Sequence, residues 1–98
     1  GLQVLSIRNN VVSAFHLFVI LTHQRNDLIN YLTEKGISTG LHYPIPVHLQ
    51  KAYKHLGYKK GDFPNSEYLA NNCISLPMYA ELTTDMVDTV IDAVNAFK

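Results

Sequence analysis

The sequence predicts an α+β fold, a small sheet with flanking helices, and three observations carry that expectation. Residues 13–22 (SAFHLFVILT) are nearly continuously apolar and rich in β-branched and aromatic side chains, as in a strand covered on both faces. Residues 24–35 switch to a helical period, with Leu28, Ile29, Tyr31 and Leu32 on one stripe and Asp27, Asn30, Thr33 and Glu34 opposite. Near the end, Val87, Val90, Ile91, Val94 and Phe97 form a second apolar stripe behind a Thr83 cap and an Asp85 placed at the positive helix end. Elements this short bury their apolar faces only by stacking in layers.

The remaining elements follow in order. Leu2, Val4 and Ile7 suit a short edge strand, turned at Arg8-Asn9-Asn10. Gly36 stands where a helix ends in a left-handed residue. Residues 37–42 (ISTGLH) then read as a strand. Pro46 suits the first position of a short helix, where its missing N–H costs nothing. Leu49, Tyr53 and Leu56 continue that helix, His48 and His55 share one of its faces, and Gly57 stops it. Pro64 opens another helix with Tyr68, Leu69 and Cys73 as its expected inner face. Residues 74–78 (ISLPM) form a brief strand that Pro77 confines to an edge or a strand end. No repeat, low-complexity tract or linker interrupts the 98 residues, so one domain spans 1–98.

Composition excludes several function classes. Eight basic and eight acidic residues cancel, leaving no global field for nucleic acid or anionic lipid. Lys51, Lys54, Lys59 and Lys60 interleave with aromatics, but four lysines without an arginine suit a solvated face better than a nucleic-acid patch. The apolar runs are far too short to span a bilayer, no signal pattern opens the chain, and the lone Cys73 has no internal partner. A cytoplasmic protein without membrane or nucleic-acid partners is expected. Because the chain opens on Gly1 rather than methionine, either a tag was cleaved or the chain was cut from something longer.

The most informative stretch is 42–50 (HYPIPVHLQ). Pro44 and Pro46 fix φ and remove two backbone donors, so neither a helix nor a central strand runs through them. The result is a stiff extended turn carrying His42, Tyr43 and His48, suited to holding polar groups at the mouth of a site. Gly40, two residues earlier, marks a close approach by a ligand or another backbone. No complete chemistry accompanies it. His42, His48 and His55 lack the Cys or carboxylate partners of a metal site, and His23 and His55 read as ordinary hydrogen-bonded histidines. His16, inside an apolar run, suits a core or interface position. Cys73 reads as a buried inert thiol, and neither a nucleophile elbow nor a Gly-rich phosphate loop is present.

The run 36–50 (GISTGLHYPIPVHLQ), followed by Ala52-Tyr53 and Leu56-Gly57-Tyr58, resembles the DegT/DnrJ/StrS family of sugar aminotransferases. Gly61-Asp62-Phe63-Pro64 with Glu67, Ser75-Leu76-Pro77-Met78-Tyr79 and Leu82-Thr83 resemble the same family in the same order. Residues 16–20 (HLFVI) are similar to the strand of its small domain. The resemblance implies a fold-type I, pyridoxal-phosphate-dependent enzyme. Such an enzyme transfers an amino group, usually from glutamate, to a nucleotide-linked keto-sugar, here a 3-keto-6-deoxyhexose. Only the C-terminal small domain is matched, so residues 1–98 would lack the large cofactor-binding domain that is their partner. Lys35, Lys51, Lys54, Lys59, Lys60 and Lys98 sit in exposed contexts, and none suits a cofactor lysine. The chain alone is therefore expected to bind no cofactor, to carry no catalytic residue and to be inactive, and its parent is expected to be a homodimer. By the same resemblance the segment 42–44 faces the cofactor cleft, and His42, Tyr43 and His48 bind substrate. Two alternatives stand beside this: the prolines form a domain hinge that the histidine supports, or the chain is a stand-alone interaction or regulatory module without catalysis.

Overall fold

The computed structural model describes residues 1–98. Strand β1 (Gln3–Val4), β2 (Phe18–Leu21), helix α1 (Arg25–Glu34), two 3-10 turns (Val47–Leu49 and Lys51–Leu56), α2 (Pro64–Asn72), β3 (Cys73–Leu76) and α3 (Thr84–Ala96) follow one another. The strands form one antiparallel sheet in the order β1-β2-β3, with Gln3 opposite Leu21 and Ile20 opposite Ile74. The expected α+β architecture is the one observed.

The pleat of this sheet divides the molecule. Ile20 and Ile74 point to one side, where they meet Leu28 and Leu32 of α1, Ile37 and Ala93 of α3; Phe18, Leu76, Val90, Val94 and Phe97 pack around them. The opposite side carries Val19 and Cys73, which face a cleft under the double-proline segment. Both faces of the expected buried strand are thus covered, one by helices and one by loop.

Helix ends follow their local signals. Gly36 at φ 75° ends α1; its N–H reaches Thr33 O at 2.9 Å while Ile37 N–H reaches Leu32 O at 2.9 Å. This pair of bonds delivers Ile37 into the core beside Leu32. Thr83 caps α3 by accepting from the Met86 amide, and Pro64 is at the start of α2. Arg25 donates from Nη1 to the Ala70 carbonyl at 2.7 Å and ties α1 to α2.

Several expectations are corrected. The strand of 13–22 begins only at Phe18, which pairs with Leu76; Pro77 has no N–H with which to extend the ladder. His16 consequently lies outside the sheet and is exposed rather than in the core. The edge strand at the start shrinks to Gln3–Val4. Residues 37–42 form no strand. Ile37 spends its amide on the helix cap and the proline turn begins at Pro44, so only Gly40 pairs, exchanging bonds of 2.9 and 2.8 Å with Ser75.

The helix expected after Pro46 is two 3-10 turns, with Pro46 at the cap position and an extended Gln50 (ψ 144°) between them. That break separates His48, buried, from His55, exposed, and abolishes their common face. Gly57, at φ 78°, does end the second turn. In α2 the inner face is Glu67 and Ala70 rather than Tyr68 and Leu69, which are exposed; Cys73 is buried, but as the first residue of β3. In α3, Ala93 is the buried residue and Val87 and Ile91 face outward.

With a six-residue core cluster, much apolar surface stays open: Val12 is 97% exposed and Tyr43 73%, with Ile45 and Val47 exposed beside it. Tyr79, also exposed, lines a separate groove between α1 and α3 with Lys35 and Met86. Contiguous open apolar surface favours association. The isolated chain is expected to self-associate as concentration rises, read as mass by light scattering; a monodisperse monomer at high concentration would contradict this.

Candidate functional site

The proline pair holds residues 42–48 across the outer face of the sheet, and the space beneath is a cleft of about 650 Å³. His42, Tyr43 and His48 all line it, together with Val19 and Cys73 from the sheet and Tyr58 and Phe63 from the loop before α2. The three residues singled out by sequence therefore share one cavity. They do not share one environment.

His42 sits at the rim. Its Nδ1 lies 2.9 Å from Ser75 Oγ on β3, its ring meets the Tyr43 ring edge-on at 5.6 Å, and the peptide joining the two is cis. Gly40 explains itself here. A Cβ at that position would stand 2.6 Å from the imidazole Cε1, so the glycine makes room for the ring as well as for the backbone pairing with Ser75. The expected close approach is by this chain's own residues. Tyr43, largely exposed, lines the same cleft.

His48 is buried. Its Nε2–H donates to Glu67 Oε1 at 3.0 Å, and the same oxygen accepts the Gly61 amide at 2.7 Å. The His48 ring packs on Phe63 at 4.8 Å, which in turn meets Tyr58 at 5.0 Å. One carboxylate thus fastens the first 3-10 turn and the Gly61 loop onto α2. This is a wall of the cleft, and it sets where Phe63 and Tyr58 stand.

The Gly61 amide above all, and then the His48 imidazole, outweigh the cost of burial and hold the Glu67 carboxyl below its ordinary 4.5. A depressed carboxyl stabilises the fold above its unfolded value and loses that contribution as pH falls through the folded one. The melting temperature of the chain should therefore exceed that of Glu67→Gln at neutral pH, and the gap should close as pH falls below 4.5. A gap independent of pH would show that the carboxylate's charge is not what stabilises.

Sequence reasoning missed Ser75 and the inward turn of Glu67. Ser75 sits in a short apolar run and resembles a strand residue turned to solvent. An acidic residue in the first turn of a helix is ordinarily read as a partner of the helix's positive end. Neither has a local signature of the contact it makes. All six lysines are exposed and none lines the cleft. No group of three His, Cys, Asp or Glu side chains could hold a metal ion, and no helix is long and apolar enough to cross a membrane.

Against known proteins, the DegT/DnrJ/EryC1/StrS aminotransferase family matches residues 1–95. The erythromycin biosynthesis sensory transduction protein EryC1 of Saccharopolyspora erythraea is 44% identical over 84 residues, 86% of this chain and 23% of that protein. The dTDP-3-amino-3,6-dideoxy-alpha-D-galactopyranose transaminase of Aneurinibacillus thermoaerophilus is 35% identical over 92 residues, 94% of this chain and 25% of that protein. Among solved structures, DesV of S. venezuelae in complex with a ketimine intermediate superposes with a TM-score of 0.92 at 35% identity, over 96% of this chain and 25% of that one. The chain spans about a quarter of the length of the relatives it matches.

Proposed function

The chain belongs to the DegT/DnrJ/EryC1/StrS aminotransferase family, and we propose that it is the C-terminal small domain of a pyridoxal-phosphate-dependent nucleotide-sugar aminotransferase. In this reading the parent takes an amino group from glutamate, releases 2-oxoglutarate, and places the nitrogen on a nucleotide-linked 3-keto-6-deoxyhexose. The likeness to a transaminase whose name places the amino group at carbon 3 of a dTDP-linked sugar supports the substrate class. The observation that carries the reading is the cleft itself: His42 and Tyr43 line a largely apolar cavity together, on a proline-stiffened segment.

The cofactor, bound by the large domain, supplies the electron sink for nitrogen transfer. This chain's residues supply the cover. His42 and Tyr43 present hydrogen-bonding groups to oxygens of the sugar nucleotide, and the apolar wall excludes water around them. His48, held by Glu67, positions that wall. The parent acts as a cytoplasmic homodimer, with the large domain seated on the open apolar surface. Expressing the full gene product that contains this chain and measuring glutamate-dependent amination of a nucleotide-linked keto-hexose tests the reading. A full-length product without such activity would overturn it.

The exposed lysines imply that the chain alone holds no cofactor covalently. Incubation with pyridoxal phosphate and borohydride should label several lysines weakly and none stoichiometrically, as read by peptide mass. Stoichiometric trapping at one lysine would contradict this. A second reading, a regulatory or interaction module that keeps the fold without catalysis, draws on the likeness to a protein named for sensory transduction. A native product of about this chain's own length would favour it.

A further inference from the structure

The His42 ring is held on two sides before any ligand arrives. Ser75 is buried, and its backbone N–H and carbonyl both pair with Gly40. Its hydroxyl lies 2.9 Å from His42 Nδ1. Gly40 takes up the ring's Cε1 side, where no Cβ would fit. The remaining ring nitrogen, Nε2, has no protein partner, and His42 is exposed at the cleft.

A buried hydroxyl must place its hydrogen on an acceptor, because leaving it unpaired costs the full desolvation of the group. The acceptor that this structure places within reach of Ser75 Oγ is His42 Nδ1. Were Nδ1 protonated instead, it would donate to Oγ and strand the hydroxyl hydrogen inside the protein. The bond made by one ring nitrogen decides what the other carries. We propose that Ser75 is a positioning residue that fixes His42 as the Nε2–H tautomer, so that the ring enters the cleft as a hydrogen-bond donor and recognises an acceptor on the substrate. This deepens the substrate-contact reading of His42 and rests on it for its purpose, but the tautomer is a property of the protein without substrate.

The test is the ring nitrogen spectrum of the chain labelled with 15N-histidine, recorded at alkaline pH. In the wild type, His42 Nε2 should resonate in the pyrrole-like range and Nδ1 in the pyridine-like range. Nδ1 in the pyrrole-like range, or both nitrogens at averaged positions, would overturn the proposal without any variant. Ser75→Ala should move both resonances toward the average, while Ser75→Thr, which keeps the hydroxyl, should restore them. Gly40→Ala reaches the same bond from the other side. Its backbone tolerates alanine, but the new Cβ displaces the ring and should produce the same averaging with Ser75 intact. Far-UV circular dichroism confirms that each variant compared is folded; a folded Ser75→Ala with wild-type ring resonances would sink the assignment. Because no substrate enters this measurement, its failure is separable from loss of the sugar contact, which kinetics alone report.

Discussion

Replacing His42 by alanine in an aminotransferase carrying this domain should lower kcat/KM by about one to two orders of magnitude, corresponding to about 2–3 kcal/mol of transition-state binding. The argument is one of pre-organisation. Ser75 and Gly40 set the ring and Pro44 restricts the chain beyond it, so a contact made by His42 incurs little ordering cost and its full value is lost on truncation. Folding should change little, since the residue is exposed at the cleft rim rather than packed in the core. His55→Ala is the control. That imidazole is exposed on the second 3-10 turn, with its Nδ1 3.1 Å from the Ala52 carbonyl, and should be near neutral in both rate and melting temperature. Steady-state kinetics with thermal melts on the two variants decide the matter. Full activity in His42→Ala, or activity lost only through unfolding, would leave the hinge reading of the proline segment standing.

The largest effect on stability is expected at Ile74. Its side chain is 0% exposed, faces Ile20 across the sheet, and packs in the cluster with Leu28, Leu32 and Ala93. Truncation to alanine removes three buried carbons and leaves a void that α1 and α3 close only in part, a loss of about 2–5 kcal/mol. For a domain of this size that lowers the melting temperature by roughly 10 °C or more. The effect should reach the site, because Ile74 is the neighbour of Ser75 and sets the seat of β3. Ile91→Ala is the matched comparison. The apolar stripe of α3 places Ile91 inward by sequence, yet it is 49% exposed in the fold, so its truncation should cost within about 0.5 kcal/mol. Equal losses at the two positions would mean that α3 packs as its periodicity suggests and not as observed.

These two isoleucines show where sequence reasoning stops. An amphipathic period identifies a helix and its general apolar side, but a three-stranded sheet covers only part of that side. The rest of the stripe on α3, like Tyr68 and Leu69 on α2, is left open. No property of the chain's own period distinguishes an apolar residue buried within the domain from one left open on its surface. Glu67 shows the converse. Nothing local marks it as an inward residue, since its partners are an amide in the preceding loop and an imidazole on the first 3-10 turn.

What the sequence by itself determined is local or cumulative. Gly36 ends α1, Gly57 ends the second 3-10 turn, Thr83 caps α3 and Pro64 opens α2, because each acts on backbone groups within a few residues of itself. Pro77 halts β3 for the same kind of reason. The family was legible because its motifs recur in one order along the chain. Only the tertiary structure decided the lengths of the strands, the burial of His48 and the hold on His42. A strand extends as far as a partner with a free N–H extends, so β2 starts where β3 ends. The bond from His42 to Ser75 crosses 33 positions and that from His48 to Glu67 crosses 19. Contacts of that separation depend on where the sheet and α2 come to rest, and that is settled by packing of the whole core rather than by any neighbouring residue.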